Sequence, residues 1–220
     1  MNIALTGSAS KIAELRAKLN ATCNIKEFQF GQDIPNADLL VDLDFDNHPD
    51  RIMAYAHLNM PLLLSAVKVE LISVLAHFGI EKKDVFGLNA LPGFINRELS
   101  ECSAAYDAEK AAFTAKLDAI GLKPEWVQDR VGMVSPRILF MIINEAYYTV
   151  QEGTAGKADI DTGMKLGTAY PHGPFEWVDM IGIQEVFEVL DALYLDTRDE
   201  RYKICSLLKK EAAAARITAH

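Results

Sequence analysis

The sequence predicts an α/β N-terminal domain with a shortened, doubly wound sheet, followed by an all-α C-terminal domain. Three observations carry this. Short β-branched or Leu-rich runs alternate with helical stretches up to about Asp129; after it the pattern is helices alone; and half of the 220 residues are hydrophobic, enough for a buried core. The expected domains are residues 1–130 and 131–220.

Asn2 to Thr6 is an apolar run closed by Gly7, and predicts the first strand. Lys11 to Asn20 follows as a helix, with Ile12, Leu15 and Leu19 at helical spacing. Ile25 to Phe30 and Ala37 to Phe45 predict the next strands, Asp50 to Leu58 a helix, and Pro61 to Val67 a fourth strand. A helix over Glu70 to Phe78 stops at Gly79, strands are expected at Asp84 to Leu91 and Ile95 to Ser103, and a helix from Ala108 to Ile120 ends at Gly121. Glu125 to Gln128 is the last expected strand.

In the second half, Ser135 before Pro136 predicts an N-cap with proline in the first turn, opening a helix that runs to Gly153. A helix over Lys157 to Leu166 is expected to stop at Gly167, and Pro174 opens a short one ended by Gly182. Ile183 to Leu195 continues as another. Thr197 with Glu200 predicts a capping box for the last helix, which runs into the alanine-rich stretch Glu211 to Arg216.

The 22 basic and 31 acidic residues leave a net charge of −9, a field that repels polyanions, so nucleic acid is not an expected partner. No apolar run approaches the length of a membrane span. Cys23, Cys102 and Cys205 are widely spaced, without a CxxC pair or a leader ahead of them, which points to a reducing, cytoplasmic setting. His48, His57, His77, His172 and His220 lack ligand spacing, so no metal site is expected. Cys102 is expected in the core and His172 in solvent.

The stretch from Asp129 to Gly182 carries Asn144-Glu145-Ala146, Glu152-Gly153, Asp159-Ile160-Asp161, Met164-Lys165-Leu166-Gly167, Pro171, Gly173-Pro174 and Asp179. In order and spacing these resemble the C-terminal helical domain of the 3-hydroxyacyl-CoA dehydrogenases. Physically they are architecture: glycines end helices, Gly-Pro opens one, and acids sit near helix N-termini. The resemblance implies a Rossmann-like first domain, a homodimer formed through the helical domain, and an acyl-CoA or other small-molecule ligand.

The first half departs from that family's pattern. In the family a GxGxxG turn lets a dinucleotide approach the backbone; here only Gly7 remains, and Ala9 and Ile12 hold the other two glycine places. Counting without gaps puts Phe30 where the family has its ribose-binding acid, and Asp33 reads as a turn residue. Phe30 runs almost directly to Asn36, so the family's long CoA-contacting excursion is missing.

By the same count Asn89 takes the place of the family's catalytic histidine and Glu101 that of its orienting carboxylate, while Lys68 stands for a hydroxyl-binding serine and Pro136 for an asparagine. An amide does not shuttle protons near neutral pH. The expectation is therefore a family member without hydride transfer, with Gly7 vestigial, no NAD, and a binding or structural role. An active short-form dehydrogenase using NAD is the alternative. A third reading, Glu101 and Lys68 as an acid–base pair of another enzyme class, ranks last.

Overall fold

The computed structural model describes residues 1–218, so His220 lies outside the described residues. The chain forms two compact units, Met1–Met133 and Val134 onward, dividing three residues beyond the expected boundary.

Unit 1 is a seven-stranded sheet of order β2-β1-β3-β4-β5-β6-β7. The strands are β1 (Asn2–Thr6), β2 (Asn24–Glu27), β3 (Leu39–Asp42), β4 (Leu62–Ser65), β5 (Val85–Leu88), β6 (Leu99–Ala104) and β7 (Lys123–Trp126). Every pairing is parallel except β5 with β6. The ten residues between β5 and β6 hold no crossover helix, so the chain can only return antiparallel. Strands β3, β4 and β5 are buried at every position, as expected of near-continuous apolar runs covered on both faces.

Helices α1 (Ala9–Lys18), α2 (Ile52–Tyr55), α3 (Leu71–Phe78) and α4 (Lys110–Ala119) complete the unit. The segment expected as one helix over Asp50 to Leu58 is instead a tight 3-10 turn, Pro49–Arg51, and the single turn of α2. Chain must reach β4 at Leu62, and Asn59 and Pro61 end the helical run. The second strand stops at Glu27 rather than Phe30, and the strand expected from Ile95 begins at Leu99, because the turn around Pro92 and Gly93 buries Phe94 and Ile95 before the ladder starts.

Gly87 in β5 leaves no room for a side chain, since a Cβ there would fall on Ser103 Oγ and 3.0 Å from the Ala66 Cβ. Gly87→Ala is expected to cost about 1–3 kcal/mol by overpacking. Urea denaturation checks it, and an unchanged midpoint would show that β5 and β6 separate freely.

Unit 2 contains α5 (Ser135–Gln151), α6 (Lys157–Thr168), α7 (Pro174–Ile181), α8 (Ile183–Thr197) and α9 (Ser206–Thr218). Ser135 is the first residue of α5 rather than its cap; Val134 precedes it. Gly167 lies inside α6, which ends instead at Ala169 in the left-handed region. Nor do Thr197 and Glu200 start the last helix. Thr197 closes α8, and the Asp199 side chain caps a 3-10 turn, Glu200–Tyr202, by accepting from Arg201 N at 3.0 Å. Tyr202, Ile204 and Cys205 are buried, and anchoring them holds the chain out of helix until Ser206.

Candidate functional site

The carboxyl ends of β1, β3, β4 and β5 lie along one edge of the sheet, and the strand order reverses between β1 and β3. Ligands of open α/β sheets bind outside such a switch point. The side chains that chemistry could use cluster there.

At the first turn, Gly7 has φ of +149°, and a Cβ on it would lie 2.8 Å from that of Leu43. The turn therefore needs glycine to meet the loop after β3. Ser8 precedes α1 in extended conformation without a side-chain cap bond, and Ile12 packs half-buried against the core that β1, β3 and α4 share. Between α1 and the end of β2 lies a groove of about 730 Å³ lined by Gly7, Ile12, Arg16, Glu27 and Gln32.

Glu27, the last residue of β2, is the acid at the strand end, and sequence counting passed it over in favour of Phe30. Its Oε1 accepts from Arg16 Nε at 2.8 Å and lies 2.7 Å from Arg16 Nη2. Phe30 is past the strand, edge-on to Tyr55 at 6.2 Å and 4.9 Å from the Arg51 guanidinium. Asp33 is exposed.

Asp42, at the end of β3, also escaped notice in the sequence. Its fully buried carboxylate accepts from Tyr55 OH at 2.8 Å, from Arg51 Nη1 at 3.0 and 3.2 Å, and from Asp44 N at 3.0 Å. Asp46 follows, its Oδ2 accepting from Val67 N at 3.1 Å and Lys68 N at 3.4 Å. Lys68 Nζ donates to Asn47 Oδ1 at 2.7 Å.

Asn89 and Glu101, twelve residues apart, are brought together: Asn89 Nδ2 donates to Glu101 Oε2 at 2.8 Å, and Asn89 N to Glu101 O at 2.9 Å. Asn89 Oδ1 accepts from Leu91 N at 3.3 Å, which fixes the amide's orientation. Burial holds the nearby Arg97 guanidinium below its usual range, opposed by the Glu101 charge. The adjoining Cys102 thiol is pushed up to about 12, chiefly by burial, and is no nucleophile.

Asp129 closes the edge. Its carboxylate accepts from Leu71 N at 3.0 Å and Ile72 N at 2.9 Å at the start of α3, and burial raises its pKa against the pull of those bonds. Among the described residues no group of three or more His, Cys, Asp or Glu could hold a metal ion, and no helix is long and apolar enough to cross a membrane. His172, expected in solvent, is half-buried with its ring edge-on to Trp177 at 4.9 Å.

Residues 132–219 match the family described as 3-hydroxyacyl-CoA dehydrogenase, C-terminal domain. The 3-hydroxyadipyl-CoA dehydrogenase of Escherichia coli (strain K12) is 43 % identical over 86 residues, 39 % of this chain and 18 % of that protein. A 3-hydroxybutyryl-CoA dehydrogenase of Bradyrhizobium diazoefficiens is 36 % identical over 118 residues, 54 % of this chain and 39 % of that protein. The chain thus spans well under half the length of these curated relatives. The fold of the whole chain is that of the (S)-3-hydroxybutyryl-CoA dehydrogenase PaaH1 from Ralstonia eutropha, with a TM-score of 0.73 at 20 % identity over 97 % of this chain and 94 % of that one. Residues 132–219 thus match the C-terminal domain of the 3-hydroxyacyl-CoA dehydrogenases, and the chain shares the fold of such an enzyme.

Proposed function

We propose that this chain is a family member without NAD-dependent hydride transfer, which works as a dimeric binding or structural protein. The Asn89–Glu101 pair carries the reading. A carboxylate 2.8 Å from the residue in the histidine's place is the arrangement that would orient an imidazole, yet the group it orients is an amide. An amide nitrogen has no basic lone pair near neutral pH, so it can hold a ligand oxygen but cannot remove a hydroxyl proton. Asn89 is 3 % exposed and bonded at both ends, which leaves it no freedom to give way to another base.

A ligand of acyl-CoA type, or a smaller molecule, fits this reading, as does assembly through the helical unit. That unit exposes Ile138 at 58 %, Leu166 at 83 % and Met180 at 46 %, apolar surface suited to a second copy. One observation favours the rival, an active short-form dehydrogenase: Glu27 stands at the end of β2, where an acid can accept from a ribose. The experiment is to mix the protein with NAD and 3-hydroxybutyryl-CoA and follow absorbance at the nicotinamide band. No turnover above buffer is expected, and a protein-dependent rate would reverse the assignment.

A further inference from the structure

Lys11, in the first turn of α1, is buried, at 3 % exposed. Its Nζ lies 3.2 Å from Leu43 O and 3.1 Å from Asp44 Oδ1. An ammonium this deep is retained only with partners, and the partners are the loop that leaves β3. Beside it the same loop touches the turn directly, Leu43 lying against the face of Gly7 where a Cβ would be.

These contacts fall at the switch point. A dinucleotide laid across an open α/β sheet has one nucleoside beside the end of β2 and the other beyond β3, with its diphosphate over the first helical turn. The way between them passes the Gly7 turn and the Leu43–Asp44 loop. Here that way is laced shut, and the far side carries three carboxylates, Asp42, Asp44 and Asp46, against two cations, Lys11 and Arg51, a balance that opposes a diphosphate. Both of these cations are already paired, Lys11 with Asp44 and Arg51 with Asp42. The residues present therefore do not fit NAD.

We infer that the Lys11–Asp44 ion pair, set against the Gly7–Leu43 contact, is a bolt across the crevice that excludes dinucleotides, leaving the groove by Glu27 isolated from Asn89. The inference is independent of the missing base at Asn89, because it concerns entry rather than proton transfer.

The test is NADH fluorescence with the full chain. Lys11→Ala removes both ties of the bolt. Because it also leaves a cavity that lowers stability, Lys11→Met, which fills most of the volume without bonding to Asp44, is measured beside it. The expected result is no saturable change for the wild type up to about 1 mM NADH, and saturation at least about tenfold below that in a folded variant. Saturation of the wild type at micromolar NADH would overturn the inference, as would folded variants that stay without binding. Saturation without turnover would overturn the bolt alone and leave the assignment at Asn89 standing.

Discussion

Asp42→Ala is expected to destabilise unit 1 by about 3–5 kcal/mol, the usual cost of removing one partner from a buried ion pair. Asp42 is 0 % exposed, and its carboxylate is the acceptor for both the Tyr55 hydroxyl and the Arg51 guanidinium. Alanine leaves a phenol without its acceptor in the core and a cation, 15 % exposed, without its counter-charge. The damage spreads to the groove, because Phe30 rests on the Tyr55 ring and under Arg51. Asp42→Asn keeps an acceptor for the phenol and is expected to cost clearly less. Urea midpoints compare the two, with limited proteolysis following the loop from Phe28 to Asn36. A loss under about 1 kcal/mol for the alanine variant would mean that Arg51 and Tyr55 find other partners.

Where the sequence spoke clearly, one local physical rule decided the structure. Asn2 to Thr6 is a strand to the residue, because an apolar run and a glycine that must meet Leu43 define both ends. Pro174 and Gly182 bracket α7 for equally local reasons. The positions of Asn89 and Glu101 were legible only through the family resemblance, and the antiparallel pairing of β5 with β6 is what brings the two side chains together.

What stayed hidden depends on partners distant in the chain. Lys11 looks like an exposed residue of an amphipathic helix, and only the loop thirty-two residues later makes it internal. Glu27 was missed because β2 was expected to run to Phe30, whereas it ends at Glu27. Asp42, Arg51 and Tyr55 read as one residue inside a strand and two of a helix until folding brings them together. The last helix start was misplaced for the same reason: a plausible capping box at Thr197 lost to the burial of Tyr202, Ile204 and Cys205.

Asn144→Ala is expected to lower the melting temperature of unit 2 by about 10 °C, from a loss of about 3 kcal/mol. Asn144 is 1 % exposed in the middle of α5. Its Nδ2 donates to Lys203 O at 2.9 Å and its Oδ1 accepts from Cys205 N at 2.9 Å. Both partners belong to the non-helical stretch before α9, where no helical ladder satisfies them, so the side-chain amide does the work of a missing backbone pair. Alanine strips a buried N–H of its acceptor and a carbonyl of its strong donor, leaving the latter only the longer bond from Tyr148 OH at 3.3 Å. Asn144→Asp is no rescue, because it keeps the acceptor but loses the donor and adds a buried charge. Thermal melts followed by circular dichroism make the comparison, and a drop below about 3 °C would place the anchor of α9 elsewhere, for instance at Gln151, whose Oε1 accepts from Leu207 N at 3.0 Å. The result bears on function. A residue of the Asn144-Glu145-Ala146 signature that closes α9 onto α5 can persist whether or not the site at Asn89 turns over, and so marks descent rather than activity.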